Sequence, residues 1–200
     1  MGHERKEGEQ RTALIKVFAI NSLLAAGLFV AGLIADSTAL IANALDNLSD
    51  ALTYAVSYFA VNRAQRWKAA AAAITGVMLL VLAAGVLVEA WQRYEDGSEP
   101  MGWVMVIMAI LAVLLNAWCI RILRPRRSED VNLRAAWTMS LNDFASNLGI
   151  IAAGAAVAWL GTNWPDLMLA VIIAAIAVYG GIATIKDAYL NRGDTGASAG

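Results

Sequence analysis

The sequence predicts an all-α membrane protein with six transmembrane helices and both termini in the cytoplasm. Hydrophobic residues make up 60% of the 200 residues, charged residues make up 16%, and the mean hydropathy is +0.59. These values are typical of integral membrane proteins rather than of soluble domains. Apolar windows of about 20 residues, the length that crosses a bilayer, recur along the whole chain. Basic residues are concentrated in alternate connections between these windows, which predicts the orientation.

The apolar windows follow one another with short connections. Their approximate bounds are 12–35, 40–61, 69–90, 101–120, 133–160 and 167–185. Each of the three prolines, Pro100, Pro125 and Pro165, falls between two windows. Proline cannot continue a helix from within, so these positions support breaks between separate helices.

One domain accounts for the apolar part of the chain. We expect a cytoplasmic N-terminal segment at 1–10, a six-helix transmembrane domain at 11–190 and a short flexible tail at 191–200. The first window is too long for a cleaved signal peptide and lacks a small-residue cleavage pattern, so we expect it to be retained. The single cysteine, Cys119, lies in an apolar stretch and is interpreted as a small buried hydrophobe.

Positive charge is strongly asymmetric about the predicted membrane. Fourteen of the fifteen basic residues fall on one side: Arg5, Lys6, Arg11, Lys16, Arg63, Arg66, Lys68, Arg121, Arg124, Arg126, Arg127, Arg134, Lys186 and Arg192. Only Arg93 falls on the other side. Cytoplasmic loops carry the excess of Lys and Arg, so we expect cytoplasmic termini and a multi-pass protein of the bacterial inner membrane. The membrane topology accounts for the positive charge of these loops, so we expect no nucleic-acid partner.

Three aspartates interrupt the apolar windows. An ionisable group inside a bilayer is costly, so such residues usually line a pathway or a binding site. Asp46 and Asp50 are four residues apart, which places both carboxylates on one face of a helix, one turn apart. Asp143 lies well inside the fifth window and shares its face with Met139 and Asn147. These positions predict a cation site between two helices.

Carboxylates that share a cavity in a bilayer favour a divalent cation. Low dielectric and mutual repulsion keep them largely protonated when the site is empty, whereas a bound divalent ion favours their charged form. Entry of metal should therefore displace protons, and returning protons should expel metal. Carboxylate oxygens bind many divalent ions, including Zn²⁺. No motif in the sequence indicates an organic cofactor.

The chain resembles the transmembrane domain of the cation diffusion facilitator family over nearly all of its apolar region. Three motifs carry the resemblance: Asp46-Asn-Leu-Ser-Asp50 on the second helix, Leu87-Val-Glu-Ala-Trp-Gln-Arg93 at the end of the third, and Arg134-Ala-Ala-Trp, leading to Asp143, on the fifth. The resemblance implies export of Zn²⁺, and of related ions such as Cd²⁺, in exchange for protons. It also implies alternating access around ligands on the second and fifth helices, and a homodimer.

The sequence departs from the family pattern beside Asp143. The family commonly has His four residues before this Asp, where this chain has Met139, a softer and weaker ligand. The fourth ligand stays open between Asn147, Asn43, Asn142, Met139 and a water molecule. The metal site predicted from the sequence comprises Asp46, Asp50, Asp143 and Asn147.

A second departure lies at the C terminus. Ten residues follow Leu190, where the family usually has a cytoplasmic metal-binding domain. We therefore expect a homodimer of this chain to rely on its membrane helices or its basic loops.

Three alternatives remain open at this stage. The missing histidine allows Mn²⁺, Fe²⁺ or Co²⁺ as the transported ion, and the short C terminus allows a transport-inactive membrane scaffold. An enzyme is the least favoured class, because the sequence has no His-Glu-x-x-His pattern and no paired nucleophile and base at helical spacing. Glu89 is interpreted as a structural partner of Arg93, four residues later, rather than as a metal ligand.

Overall fold

The computed structural model describes residues 2–60, 65–126 and 131–193. The described residues form six α-helices and a 3-10 turn at Arg124–Arg126, with no β-strand among them. The helices are α1 Gly2–Ile34, α2 Thr38–Ala60, α3 Gln65–Asp96, α4 Gly102–Leu123, α5 Val131–Leu160 and α6 Trp164–Gly193. The all-α fold predicted from the apolar windows is confirmed.

The helices are longer than most of the predicted windows. α1 begins at Gly2, so the segment predicted at 1–10 is helical where it is described, and α6 continues to Gly193. The rest of the predicted tail, 194–200, lies outside the described residues, as do the connections at 61–64 and 127–130, which contain Arg63 and Arg127.

Five of the six described helices are long and apolar enough to cross a membrane. The exception is α2, whose 23 residues include Asn43, Asp46, Asn47, Ser49 and Asp50. These polar residues lower the mean hydropathy of α2. They form its interior face, on which the predicted site depends. The chain is a multi-pass membrane protein.

Three connections meet at one end of the bundle, which we call the outer end. They are 35–37, 97–101 and 161–163. The Met101 N–H donates to the Ala35 carbonyl at 2.8 Å, and the Asn163 amide donates to the Ser98 hydroxyl at 3.0 Å. The described helices therefore alternate in direction, and Gly2 and Gly193, the first and last described residues, lie at the opposite, inner end.

Arg93 is paired at the outer end. Its guanidinium contacts Asp36 at 2.7 Å and Glu89, one turn earlier on α3, also at 2.7 Å. The predicted structural pairing of Glu89 with Arg93 is confirmed. Because Arg93 is the only basic residue predicted on this side, these two carboxylates balance its charge locally.

Glycines allow two pairs of helices to approach closely. Gly102 on α4 packs against Gly154 and Ala158 on α5, and Gly76 on α3 packs against Gly181 on α6. A Cβ atom added at Gly154 would lie 2.8 Å from the Gly102 carbonyl oxygen. Small residues at such crossings are typical of helix packing in membranes.

Two apolar clusters fill the interior, one above the other. The outer cluster includes Leu24, Leu28, Ala42, Met105, Ala109, Ala112, Ile150 and Ala153. The inner cluster comprises Leu14, Val17, Tyr54, Cys119, Leu123, Leu133 and Ala136. The buried polar residues of α2 and α5 lie between the two clusters, near the middle of the bundle.

Candidate metal site

Asp166 fixes the start of α2, the helix that supplies two of the predicted ligands. Its carboxylate accepts hydrogen bonds from the Thr38 N–H at 2.7 Å, the Ala39 N–H at 3.1 Å and the Ser37 hydroxyl. The first N–H groups of a helix have no partner within the helix, and a carboxylate there also suits the helix dipole. A residue of α6 therefore caps α2 and holds it in place.

The three predicted carboxylates line one cavity. Asp50 and Asp143 are 7% and 1% exposed, and Asp46 is half-buried. The cavity has a volume of about 780 Å³ and is lined by residues of α2, α3, α5 and α6. One oxygen of Asp50 and one of Asp143 have no hydrogen-bond partner among the described residues. Buried carboxylate oxygens without a partner are rare unless a ligand or water binds them.

The cavity spans the middle of the bundle, from Leu169 in the outer half of α6 to Val56 in the inner half of α2. Its polar lining comprises Asp46, Ser49, Asp50, Thr53, Thr75, Asn142, Asp143, Ser146 and Thr184. Thr53 follows Asp50 toward the inner end of α2, and Thr184 lies in the inner part of α6. Hydroxyl and amide groups along this wall can replace part of the hydration shell of a cation.

Asn147, the fourth predicted ligand, is held on the outer side of the carboxylates. Its Oδ1 accepts a hydrogen bond from Asn43 at 2.9 Å, and its amide donates to the Asp143 carbonyl at 2.8 Å. Asn43 and Asn147 are fully buried and do not belong to the cavity lining, whereas Asn142 and Met139 do. The Asn43–Asn147 bond joins α2 directly to α5 at this level.

The carboxylates share the cavity without forming a closed ligand shell. Among the described residues, no group of three or more His, Cys, Asp or Glu side chains is close enough together to hold a metal ion. An ion at Asp50 and Asp143 would therefore need neutral oxygen ligands, water, or a closer approach of α2 to α5.

Sequence reasoning missed Asp166, Ser49 and Ser146. Ser49 and Ser146 each follow a predicted ligand by three residues, which is the spacing that places a side chain on the same helix face. That signal was present in the sequence. Asp166 gave only the weaker signal of an acid in the first turn of its own helix, whereas the structure uses it to cap a different helix.

Comparison with known proteins identifies relatives over nearly all of the chain. The Cadmium, cobalt and zinc/H(+)-K(+) antiporter of Bacillus subtilis is 24% identical over 94% of this chain and 65% of its own length. The zinc transporter ZitB of Pectobacterium atrosepticum is 29% identical over 92% of this chain and 62% of its own. The metal cation efflux system protein CzcD of Cupriavidus metallidurans is 26% identical over 86% and 58%.

The chain thus spans about three fifths of the length of the curated relatives it matches. The part of the chain that the family profile matches includes the three carboxylates, all of α2 to α5 and most of α1 and α6. The Cation efflux transmembrane domain profile matches residues 14–191, and the chain belongs to this family.

Proposed function

We propose that this protein exports divalent metal cations, Zn²⁺ first and also Cd²⁺, from the cytoplasm in exchange for protons. The observation that carries the proposal is the cavity that Asp46, Asp50 and Asp143 line together. Intramembrane carboxylates that face a common cavity are typical of ion pathways and proton relays. The names of the bacterial relatives, which include zinc, cadmium and cobalt, agree with this chemistry.

We propose that ions enter the cavity from the cytoplasm. The cavity reaches Val56 and Thr184 in the inner parts of α2 and α6, and the Asn43–Asn147 hydrogen bond joins α2 to α5 on the outer side of the carboxylates. Release to the outside would require α2 and α5 to part at this bond and to close at the inner end. Alternating access of this kind needs only a small reorientation of two packed helices.

Asp46, Asp50 and Asp143 are the proposed ligands and proton acceptors, and Asn147 is the proposed fourth ligand. The Asn147 carbonyl already accepts one hydrogen bond from Asn43, so it can bind metal through its second lone pair or after that bond opens. Asn142 lines the cavity in the present arrangement and competes for the same role. A ligand that becomes free only when α2 and α5 move would couple metal binding to the conformational change.

The nature of the ion follows from the ligand types. Oxygen ligands alone bind Zn²⁺, Cd²⁺, Co²⁺ and Mn²⁺ without strong selectivity, and an imidazole would favour the later transition metals. His3 is the one histidine of the sequence, and Met139 lines the cavity four residues before Asp143. The alternative that Mn²⁺, Fe²⁺ or Co²⁺ is the physiological ion is tested by a competition titration in which each metal displaces Zn²⁺.

Metal flux into proteoliposomes under a pH gradient tests the transport proposal. Unaltered protein should move Zn²⁺ and an equivalent flow of protons in opposite directions. Asp50→Asn keeps the shape of the side chain but removes its charge, and it should abolish both flows. Asp187→Asn removes an exposed carboxylate from α6 outside the cavity and should leave both unchanged. If Asp50→Asn transports Zn²⁺ as well as unaltered protein, the site is wrong.

Equilibrium binding separates a transporter from a scaffold. A transport-inactive scaffold should bind no stoichiometric Zn²⁺, whereas the proposed site should bind one ion per chain in elemental analysis after gel filtration. The homodimer is part of the proposal, and the mass of the protein in lipid nanodiscs measures it directly.

A further inference from the structure

Tyr54 is a buried tyrosine of α2 that follows Asp50 by one turn toward the inner end. The residue is 2% exposed, and its ring packs in the inner apolar cluster. A phenylalanine ring would pack in the same way, whereas a buried hydroxyl is costly unless it is hydrogen-bonded. The hydroxyl of Tyr54, rather than its ring, therefore requires an explanation.

The Tyr54 hydroxyl lies among polar groups of both helices that carry the proposed ligands. It is 3.4 Å from the Ala136 carbonyl oxygen of α5, which is long for a hydrogen bond from a hydroxyl. The Tyr54 side chain is also hydrogen-bonded to the Asp50 carboxylate and to the Ser140 hydroxyl. A phenol has one proton to donate, and a carboxylate is a stronger acceptor than a backbone carbonyl. The bond from Tyr54 to Asp50 is therefore the favoured one, and Ser140 can donate to the phenol oxygen.

These contacts link α2 to α5 next to the second carboxylate. Ser140 precedes Asp143 by three residues, the spacing that places two side chains on one face of a helix. The Tyr54 contacts therefore join the two helices on the inner side of the carboxylates, as the hydrogen bond between Asn43 and Asn147 joins them on the outer side. The position of the first carboxylate relative to α5 depends on both links.

Tyr54 contacts Asp50 from outside the cavity. Asp50 lines the cavity, whereas Tyr54 is not among the lining residues and packs in the apolar cluster instead. A carboxylate has two oxygens, so a bond to the phenol can hold one of them while the other faces an ion. Hydrogen-bond partners of this kind orient metal ligands, and their loss costs roughly 10–100-fold in metal affinity.

We propose that Tyr54 is a positioning residue of the metal site, whose hydroxyl orients the Asp50 carboxylate toward the cavity and fixes its place relative to α5. This inference rests on the proposed function, because it takes Asp50 as a metal ligand. It assigns a role to a residue that does not itself touch the ion. A purely structural hydroxyl would affect the stability of the bundle, whereas a positioning hydroxyl affects the affinity and geometry of the bound metal.

Three variants of the full chain test the proposal by Zn²⁺ titration calorimetry and thermal unfolding in one detergent. Tyr54→Phe removes the hydroxyl and keeps the ring. Tyr58→Phe is the matched control, because Tyr58 lies one turn farther along α2 and its ring centroid is 5.9 Å from the Arg11 guanidinium, a contact that Phe retains. Leu123→Ala leaves a cavity in the inner cluster without removing a polar group, so it measures the indirect effect of lost packing.

We expect Tyr54→Phe to weaken Zn²⁺ binding about tenfold, the lower end of the range for such partners, with a small change in the unfolding midpoint. Tyr58→Phe should leave affinity and midpoint unchanged. Leu123→Ala should lower the midpoint and leave the affinity unchanged. Co²⁺ adds a spectroscopic readout, because its absorption spectrum depends on the geometry of its ligands. The spectrum of bound Co²⁺ should change in Tyr54→Phe and stay the same in Leu123→Ala.

The possible failures are distinguishable. Equal Zn²⁺ affinity in Tyr54→Phe and unaltered protein would overturn the positioning role and leave the proposed function standing. An equal loss of affinity in Tyr54→Phe and Leu123→Ala would also overturn it, because the effect would then come from packing. Unaltered protein that binds no Zn²⁺ would instead refute the proposed function, and the role of Tyr54 with it.

Discussion

Asp166, in the first turn of α6, accepts a 2.7 Å hydrogen bond from the backbone N–H of Thr38, the first residue of α2. The two residues are 128 positions apart in sequence, yet the carboxylate is fully buried and also binds Ser37 and Ala39. The position of the metal-site helix therefore depends on a side chain from the last helix. Any movement of α2 during transport must carry α6 with it or break this cap.

Replacement of Asp166 should destabilise the protein. Asp166→Ala leaves the N–H groups of Thr38 and Ala39 and the Ser37 hydroxyl without a buried acceptor, which costs about 1–3 kcal/mol in unfolding free energy. Asp166→Asn retains one acceptor oxygen and should lose less. Thermal unfolding in detergent measures both variants, and Asp187→Ala, an exposed acid on the same helix, should unfold like the unaltered protein. Equal stability of all three variants would show that the cap is unimportant.

Substitution should have opposite effects at two glycines, because Gly154 lies where α4 and α5 approach closely and Gly85, on α3, lies in open space. Gly154→Val places a Cβ 2.8 Å from the Gly102 carbonyl and 2.9 Å from Met105 Cβ, so the helices must separate. Overpacking of this kind costs about 1–3 kcal/mol. Gly85→Ala on α3 meets nothing within 4 Å and removes a flexible residue from a helix, which should stabilise by roughly 0.5–1 kcal/mol.

Thermal unfolding of the two glycine variants in the same detergent provides the comparison. The midpoint should fall for Gly154→Val and should rise or stay level for Gly85→Ala. A fall of similar size in both would mean that the bundle tolerates no substitution at glycine and that the α4–α5 contact has no special role.

Local spacing predicted the helices and the three carboxylates of the cavity, Asp46, Asp50 and Asp143, because both depend on periodicity within one helix. Asp46 and Asp50 had to share a face wherever α2 was placed. Asn147 shares the face of Asp143 by the same rule, but its environment depends on Asn43 of α2, and no spacing within α5 shows that the amide is already bonded there. Asn142 directly precedes Asp143, so on a helix the two side chains point about 100° apart, yet both line the cavity, since a volume of about 780 Å³ reaches around α5.

The fourth ligand can be assigned by comparing Asn147 with Asn142. If Asn147 binds the ion, Asn147→Ala should weaken Zn²⁺ binding by roughly tenfold or more, the range found when groups around a metal are removed. Asn142→Ala should then change the Zn²⁺ dissociation constant by less than about twofold. A tenfold change, by comparison, corresponds to about 1.4 kcal/mol of binding free energy. Isothermal titration of Zn²⁺ into each variant measures the difference.

The opposite order would assign the fourth position to Asn142, which lines the cavity now. Asn43→Leu provides a further comparison, because it removes the hydrogen bond to Asn147 and also tests Asn43, another candidate for the fourth ligand. This variant should leave Zn²⁺ affinity equal or higher, since the Asn147 carbonyl is then free to bind.

The position of Met139 predicts how the ion selectivity of the site can be changed. Met139 lines the cavity four residues before Asp143, so Met139→His would place an imidazole on the same face as that carboxylate. Imidazole binds Zn²⁺ better than a thioether does, and we expect affinity for Zn²⁺ to rise about tenfold, or by about 1.4 kcal/mol, with a smaller gain for Mn²⁺. Met139→Leu tests whether the thioether already contributes: unchanged Zn²⁺ and weakened Cd²⁺ binding would identify sulfur as a ligand for the softer ion. Competition titrations of the three proteins with Zn²⁺, Cd²⁺ and Mn²⁺ separate these outcomes, and unchanged Zn²⁺ affinity in Met139→His would show that the new side chain does not reach the ion.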